Sequence, residues 1–147
     1  MNPTALKFGY PQSLIAESEH WLLLLRPRQV TLGSLVLVCK EPVQAFGAVS
    51  PEAFGGLQRM IAGTEQLLKG FVDYQRINYL MLMMVDPEVH FHVIPRYDGC
   101  KTWAGLEFAD AGWPNPPLLA SGLEPEPPLR AQLAGELARR WQQAHGA

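Results

Sequence analysis

The chain reads as an α+β fold: an antiparallel sheet of about five strands with one long helix, plus a Pro-rich, helical C-terminal tail. Three observations predict it. Short β-rich runs follow one another closely before residue 40, a capped amphipathic stretch opens at Ser50, and two more apolar runs lie between residues 77 and 94. At 147 residues, 48% hydrophobic and 18% charged, the chain has the length of one domain and can bury a core unaided.

Residues 13–17 and 20–26 are the first two strands. Pro27 lacks a ladder donor and ends the second. Gly33 punctuates the turn into a β-branched strand at 35–39, and short links between three consecutive strands imply an antiparallel meander. Ser50-Pro51-Glu52 is a helix start: Ser caps free amides, Pro suits the first helical position, and Glu suits the positive end of the dipole. Phe54, Leu57, Ile61, Leu68, Phe71 and Val72 then draw one apolar stripe along about six turns. Gly55, Gly56 and Gly63 weaken this helix modestly and leave room for close packing. Residues 77–84 are nearly all apolar and read as a central strand covered on both faces, with Met81, Met83 and Met84 in the core. Asp86-Pro87 breaks the chain, and 89–94 is the next strand, ended by Pro95. Composition changes near residue 97. Six prolines fall between Pro114 and Pro128, and Leu129, Leu133, Leu137 and Trp141 mark a last helix. The chain therefore divides into a core at 1–98 and a C-terminal extension at 99–147 packed on the same domain.

Twelve Lys and Arg against 14 Asp and Glu give a net charge of −2, which argues against a nucleic-acid surface. Any anionic ligand must be held by a local arrangement. The apolar runs at 21–25 and 79–85 are too short to span a bilayer, and the first ten residues lack the pattern of a signal peptide, so a cytoplasmic location with no membrane partner is expected. Two cysteines are too few for a disulfide framework; Cys39 is expected in the core and Cys100 among exposed turn residues.

The chemistry concentrates in Glu88-Val89-His90-Phe91-His92-Val93-Ile94-Pro95-Arg96. Alternation along a strand puts Val89, Phe91 and Val93 on a core face and Glu88, His90 and His92 on the other, with alternate residues roughly 6.5–7 Å apart. Because the strand follows an apolar one, this polar face lines a pocket rather than open water. Glu88, His90 and His92 offer three potential metal ligands, although no fourth stands at an obvious spacing. A neutral histidine also serves as general acid or base near pH 7, or attacks phosphorus to form a phosphoramidate. Arg96 adds a charged fork suited to phosphate. A Glu88 carboxylate beside His90 would favour the imidazolium, which cannot attack phosphorus.

The segment Val89-His90-Phe91-His92-Val93-Ile94-Pro95-Arg96 resembles the signature strand of the histidine triad (HIT) superfamily, His-φ-His-φ-His-φ-φ, in particular its dinucleoside-polyphosphate-hydrolase branch, which often continues Pro-Arg. The order of elements over residues 10–98 is similar too. The resemblance implies His90 as the nucleophile toward the α-phosphate of a nucleotide and His92 as phosphate binder or proton donor. Arg96, Glu88 and Arg28 are the candidate phosphate- and nucleotide-binding residues. No metal or other cofactor is implied, the partner is a small nucleotide, and a homodimer is expected. The sequence departs from the family at four places: Glu88 stands at the first triad position, Leu35 where many members have another histidine, Arg26-Pro27-Arg28 where Asp or Asn often holds ribose, and Val85-Asp86-Pro87 in place of a longer Gly- and Gln-bearing loop. The reading is a nucleotide hydrolase or transferase, with a nucleotide-binding protein of weak or no catalysis as its alternative and a metal-dependent enzyme as a third.

Overall fold

A computed structural model of the protein describes residues 2–146. The apolar runs before residue 40 become β1 (Leu14–Glu17), β2 (Trp21–Leu25) and β3 (Leu35–Cys39), an antiparallel meander. Every residue of β2 and β3 is buried, so both are covered on two faces. Buried Gln29 organises the turn between them. Its side-chain amide donates to the carbonyls of Arg26 and Ser34, and its oxygen accepts from the N–H groups of Gly33 and Ser34. Gly33 lies at φ +90°, where a side chain would be strained.

Ser50 caps α2 (Pro51–Val72): its hydroxyl accepts from the Ala53 N–H and donates to Glu41. The buried stripe of α2 includes Leu57, Met60, Thr64, Leu67, Leu68 and Val72. Phe54, expected in that stripe, is 40% exposed and packs on Phe46 at its margin. Gly63 lets the indole of Trp141 rest against the α2 backbone, since a Cβ there would collide with the ring.

Two strand expectations are overturned. The run at 77–84 is not a central strand. It yields β4 (Arg76–Leu80), a largely half-buried edge in the order β1-β2-β3-β5-β4, and the chain leaves the sheet at Met81. Met84 is 86% exposed and Leu82 also faces solvent, while Met81 and Met83 are half-buried and pack against the edge of the core, so only Met84 departs fully from the core expected of it. An unbroken apolar run has no periodicity to separate a doubly covered strand from an edge. Nor does Pro95 end its strand: β5 (His90–Arg96) runs through it. The ladder with β3 stops at the Leu35–Val93 pair, so the missing Pro95 donor falls beyond that neighbour, and the Thr31 hydroxyl donates to the Pro95 carbonyl at 2.6 Å.

The C-terminal tract holds a hairpin that composition does not reveal, β6 (Cys100–Trp103) and β7 (Leu106–Ala109). Ala104 and Gly105, both at positive φ, make its two-residue turn. A backbone bridge joins Leu123 to Gln29. Then α3 (Pro127–His145) buries Leu133, Ala134 and Leu137 and packs on β1, β2 and α2. Cys39 is buried and Cys100 exposed. No helix among the described residues is long and apolar enough to cross a membrane.

The helices α2 and α3 occupy one side of the sheet. The other side carries Leu22, Leu24, Val36 and Val38, covered by Ala5 of a short helix α1 (Pro3–Lys7) and by Phe8.

Candidate active site

Strand alternation and register fix the site. On β5, His90 pairs with Val38 and His92 with Val36, so both imidazoles stand on the face that α1 and Phe8 cover. Val89 and Val93 are buried in the opposite core, with half-buried Phe91 packed beside them. The two imidazole rings meet edge to face with centroids 5.2 Å apart.

The hydrogen bonds of the rings differ in kind. Nδ1 of His90 lies 2.6 Å from the backbone carbonyl of Glu88, which can only accept. Nδ1 therefore carries the proton and Nε2 presents a lone pair. Nδ1 of His92 lies 3.4 Å from Nε of Arg26, which can only donate, so in the neutral ring the proton sits on Nε2. Burial lowers the His92 pKa to about 4, assisted by the positive charge of Arg26 and by His90 and Lys7, with Asp86 opposing. At neutral pH His92 is an uncharged donor beside an imidazole whose Nε2 can be nucleophilic.

Glu88 does not join the row expected of it. Its carboxylate accepts from the Thr4 hydroxyl at 2.7 Å and from the Gln44 amide at 3.3 Å. Only its backbone carbonyl serves His90. The carboxylate–imidazole contact anticipated from the sequence is absent, and with it the metal reading: no group of three His, Cys, Asp or Glu among the described residues could hold a metal ion.

Arg96 shares the histidine face but lies four residues beyond His92, about 13 Å along the strand. It is 4% exposed and its guanidinium is already engaged: Nε and Nη2 donate to the two carboxylate oxygens of Asp110, Nη1 to Asn78, and Nη2 also to the Asn115 carbonyl. It braces the sheet against the Pro-rich strap and is not brought to the histidines. Arg28 offers only its carbonyl to the Arg26 side chain, and its own side chain is exposed.

The cation hydrogen-bonded to His92 is Arg26, which the sequence reading names only within a departure from the family and not as a site residue. The signal was present: Leu22, Leu24 and Arg26 share a parity that continues onto the His90–His92 face. Also missed was the cover. Phe8 packs on both rings, with centroids 6.3 Å from His90 and 5.7 Å from His92. Its segment is tied down by Asn2 to the Cys39 carbonyl, Thr4 to Glu88, and a Lys7–Asp86 ion pair at 2.8 Å. As a result His90 is 2% and His92 8% exposed. Behind Phe8 lies a mostly apolar cavity of about 320 Å³ whose walls include Ser13, Leu25, Pro27 and Arg130.

Solved structures resemble this one at low sequence identity. A histidine triad protein from Sinorhizobium meliloti matches with TM-score 0.72 and 19% identity, over 97% of this chain and 94% of that one. A histidine triad protein from Bradyrhizobium japonicum matches with TM-score 0.69 and 19% identity, over 86% and 88%. A diadenosine triphosphate hydrolase from Plasmodium falciparum, solved with cyclomarin A, matches with TM-score 0.69 and 7% identity, over 93% and 80%. No protein-family model matches the sequence, and no curated protein matches it. The chain has the fold of the histidine triad proteins, as its signature strand implies.

Proposed function

We propose that the protein is a nucleotide hydrolase or transferase that works through a covalent nucleotidyl-histidine on His90. The observation that carries this reading is the contrasting partners of two adjacent rings, a carbonyl at His90 Nδ1 and a guanidinium donor at His92 Nδ1, which leave a lone pair on the neutral His90 Nε2 and a proton on His92 Nε2. In the first step the His90 lone pair forms a bond to the α-phosphorus and the bond to the leaving group breaks, the leaving group departing with the electron pair and taking any proton it needs from water, while the His92 Nε2–H stays on its ring and donates a hydrogen bond to the phosphoryl group. The Nδ1–H bond to the Glu88 carbonyl supports the positive charge that His90 acquires. In the second step a water or another acceptor attacks phosphorus and releases its proton to solvent, the bond to His90 breaks and the electron pair returns to His90, with the His92 Nε2–H again donating to the phosphoryl group. The cavity behind Phe8 lies within the size range of small-ligand sites, and its apolar lining suits a base. Nucleoside phosphoramidates, adenylated compounds and dinucleoside polyphosphates are the substrate classes that fit.

Incubation with adenosine phosphoramidate and with diadenosine triphosphate tests the reading. Turnover that His90→Ala abolishes, together with an acid-labile nucleotidyl adduct on His90, is the expected result. No turnover of either compound, or turnover indifferent to His90→Ala, overturns it. A nucleotide-binding role with little turnover is the second reading, favoured by the burial of both rings beneath α1 and Phe8. Calorimetry with AMP separates the two when activity is absent. We also propose that two copies pair through the free edge of β4, which exposed Leu82, Met84 and Val85 extend.

A further inference from the structure

We infer that Arg26 is the positioning residue of His92, fixing the tautomer in which His92 presents a proton from Nε2. The inference rests on the reading of His92 as a hydrogen-bond donor to the phosphoryl group and adds a residue that the signature strand does not contain. A buried imidazole left to itself can place its single proton on either nitrogen. The sheet neighbours of His92 are Val36 and Leu80, whose side chains carry no polar atom, so neither biases the choice. Arg26 does. Its Nε is 3.4 Å from Nδ1, and a guanidinium has donors only and keeps its proton, so Nδ1 must remain an acceptor.

The guanidinium is itself held. Its Nη1 donates to the Arg28 carbonyl at 2.9 Å. The backbone of Arg26 donates to the Ser34 carbonyl at 3.0 Å, and its carbonyl accepts from the Gln29 side chain at 2.6 Å. Gln29 is pinned in turn by two backbone hydrogen bonds with Leu123 in the C-terminal tract. The turn after β2 thus serves as a mount for the donor that orients His92. This also gives the Pro-rich tract a place in the site, as the brace of that mount.

Imidazole nitrogen shifts in the nitrogen-15 labelled, substrate-free protein read the tautomer directly. In the unmodified chain at neutral pH, His92 should carry its proton on Nε2 and His90 on Nδ1. Arg26→Gln, whose amide both donates and accepts, should move His92 toward a mixture of tautomers, and Arg26→Lys should retain the original one. Where the protein turns over nucleotide, Arg26→Gln should lower kcat by about 10²-fold or more with a small change in KM, as loss of an orienting partner does elsewhere. Arg26→Lys should recover most of that loss. His92 protonated on Nδ1 in the unmodified protein overturns the inference without any variant, and so does an unchanged tautomer in a folded Arg26→Gln. Absence of turnover would instead count against the proposed function, because the nitrogen shifts need no substrate.

Discussion

Acid should unfold this protein partly through His92. The ring is held down to about 4 from an ordinary 6.5, so between those values the unfolded chain takes up a proton that the folded protein refuses. Stability from this source is intact above pH 6.5 and drains away as pH falls toward 4. At 1.36 kcal/mol per unit of separation, taking the protein from about pH 7.5 to about pH 4.5 should cost about 2.5 kcal/mol through this one group. Urea denaturation at steps across that range, run in parallel on the unmodified chain and on His92→Gln, isolates the effect. Carboxylates titrate in both proteins and cancel in the difference between the two curves. The unmodified protein should lose stability faster on acidification by that amount. Parallel curves would refute the reasoning, showing that His92 is solvated or paired differently from the geometry described.

Three other outcomes are expected. Asp110→Ala leaves the buried Arg96 charge without its carboxylate and should cost about 3–5 kcal/mol by denaturation, while the tautomers of His90 and His92 stay as they were. Thr4→Ala removes a hydrogen bond to the Glu88 carboxylate worth about 1.5 kcal/mol, so carbethoxylation of His90 by diethyl pyrocarbonate should quicken roughly tenfold. Gel filtration should run at twice the chain mass, and Leu82→Glu or Met84→Glu beside the β4 edge should return the monomer; an unmodified protein at monomer mass contradicts the proposed pairing.

What the sequence makes legible depends on whether a signal is local. Ser50-Pro51-Glu52 sets the start of α2 by chemistry within one turn, and the alternation through His90 and His92 assigns the faces of β5 with no tertiary information. Whether an apolar strand is central or at the edge is decided by its neighbours, so 77–84 was misread. Arg96 looked like a phosphate ligand because its partner Asp110 is 14 residues away on no recognisable motif. Glu88 looked like a rival of the phosphate because α1, which takes up its carboxylate, comes 84 residues earlier. Arg26 needed the parity of β2 carried across two strand pairings before it met His92.

Those separations bear on how the site comes into being. Thr4 meets Glu88 across 84 residues and Arg26 meets His92 across 66, so each contact must close a long loop before it contributes anything. Neither can exist on a ribosome-bound chain whose β5 is still unmade. The site is thus a late product of folding, completed after the meander and α2 have formed from nearer contacts. The same order in reverse makes the N-terminal segment a leading candidate for the first part to let go. It is held by a few side-chain ties and by the packing of Ala5 and Phe8 rather than by a strand ladder, so local opening there exposes the histidines while the sheet beneath them stays folded.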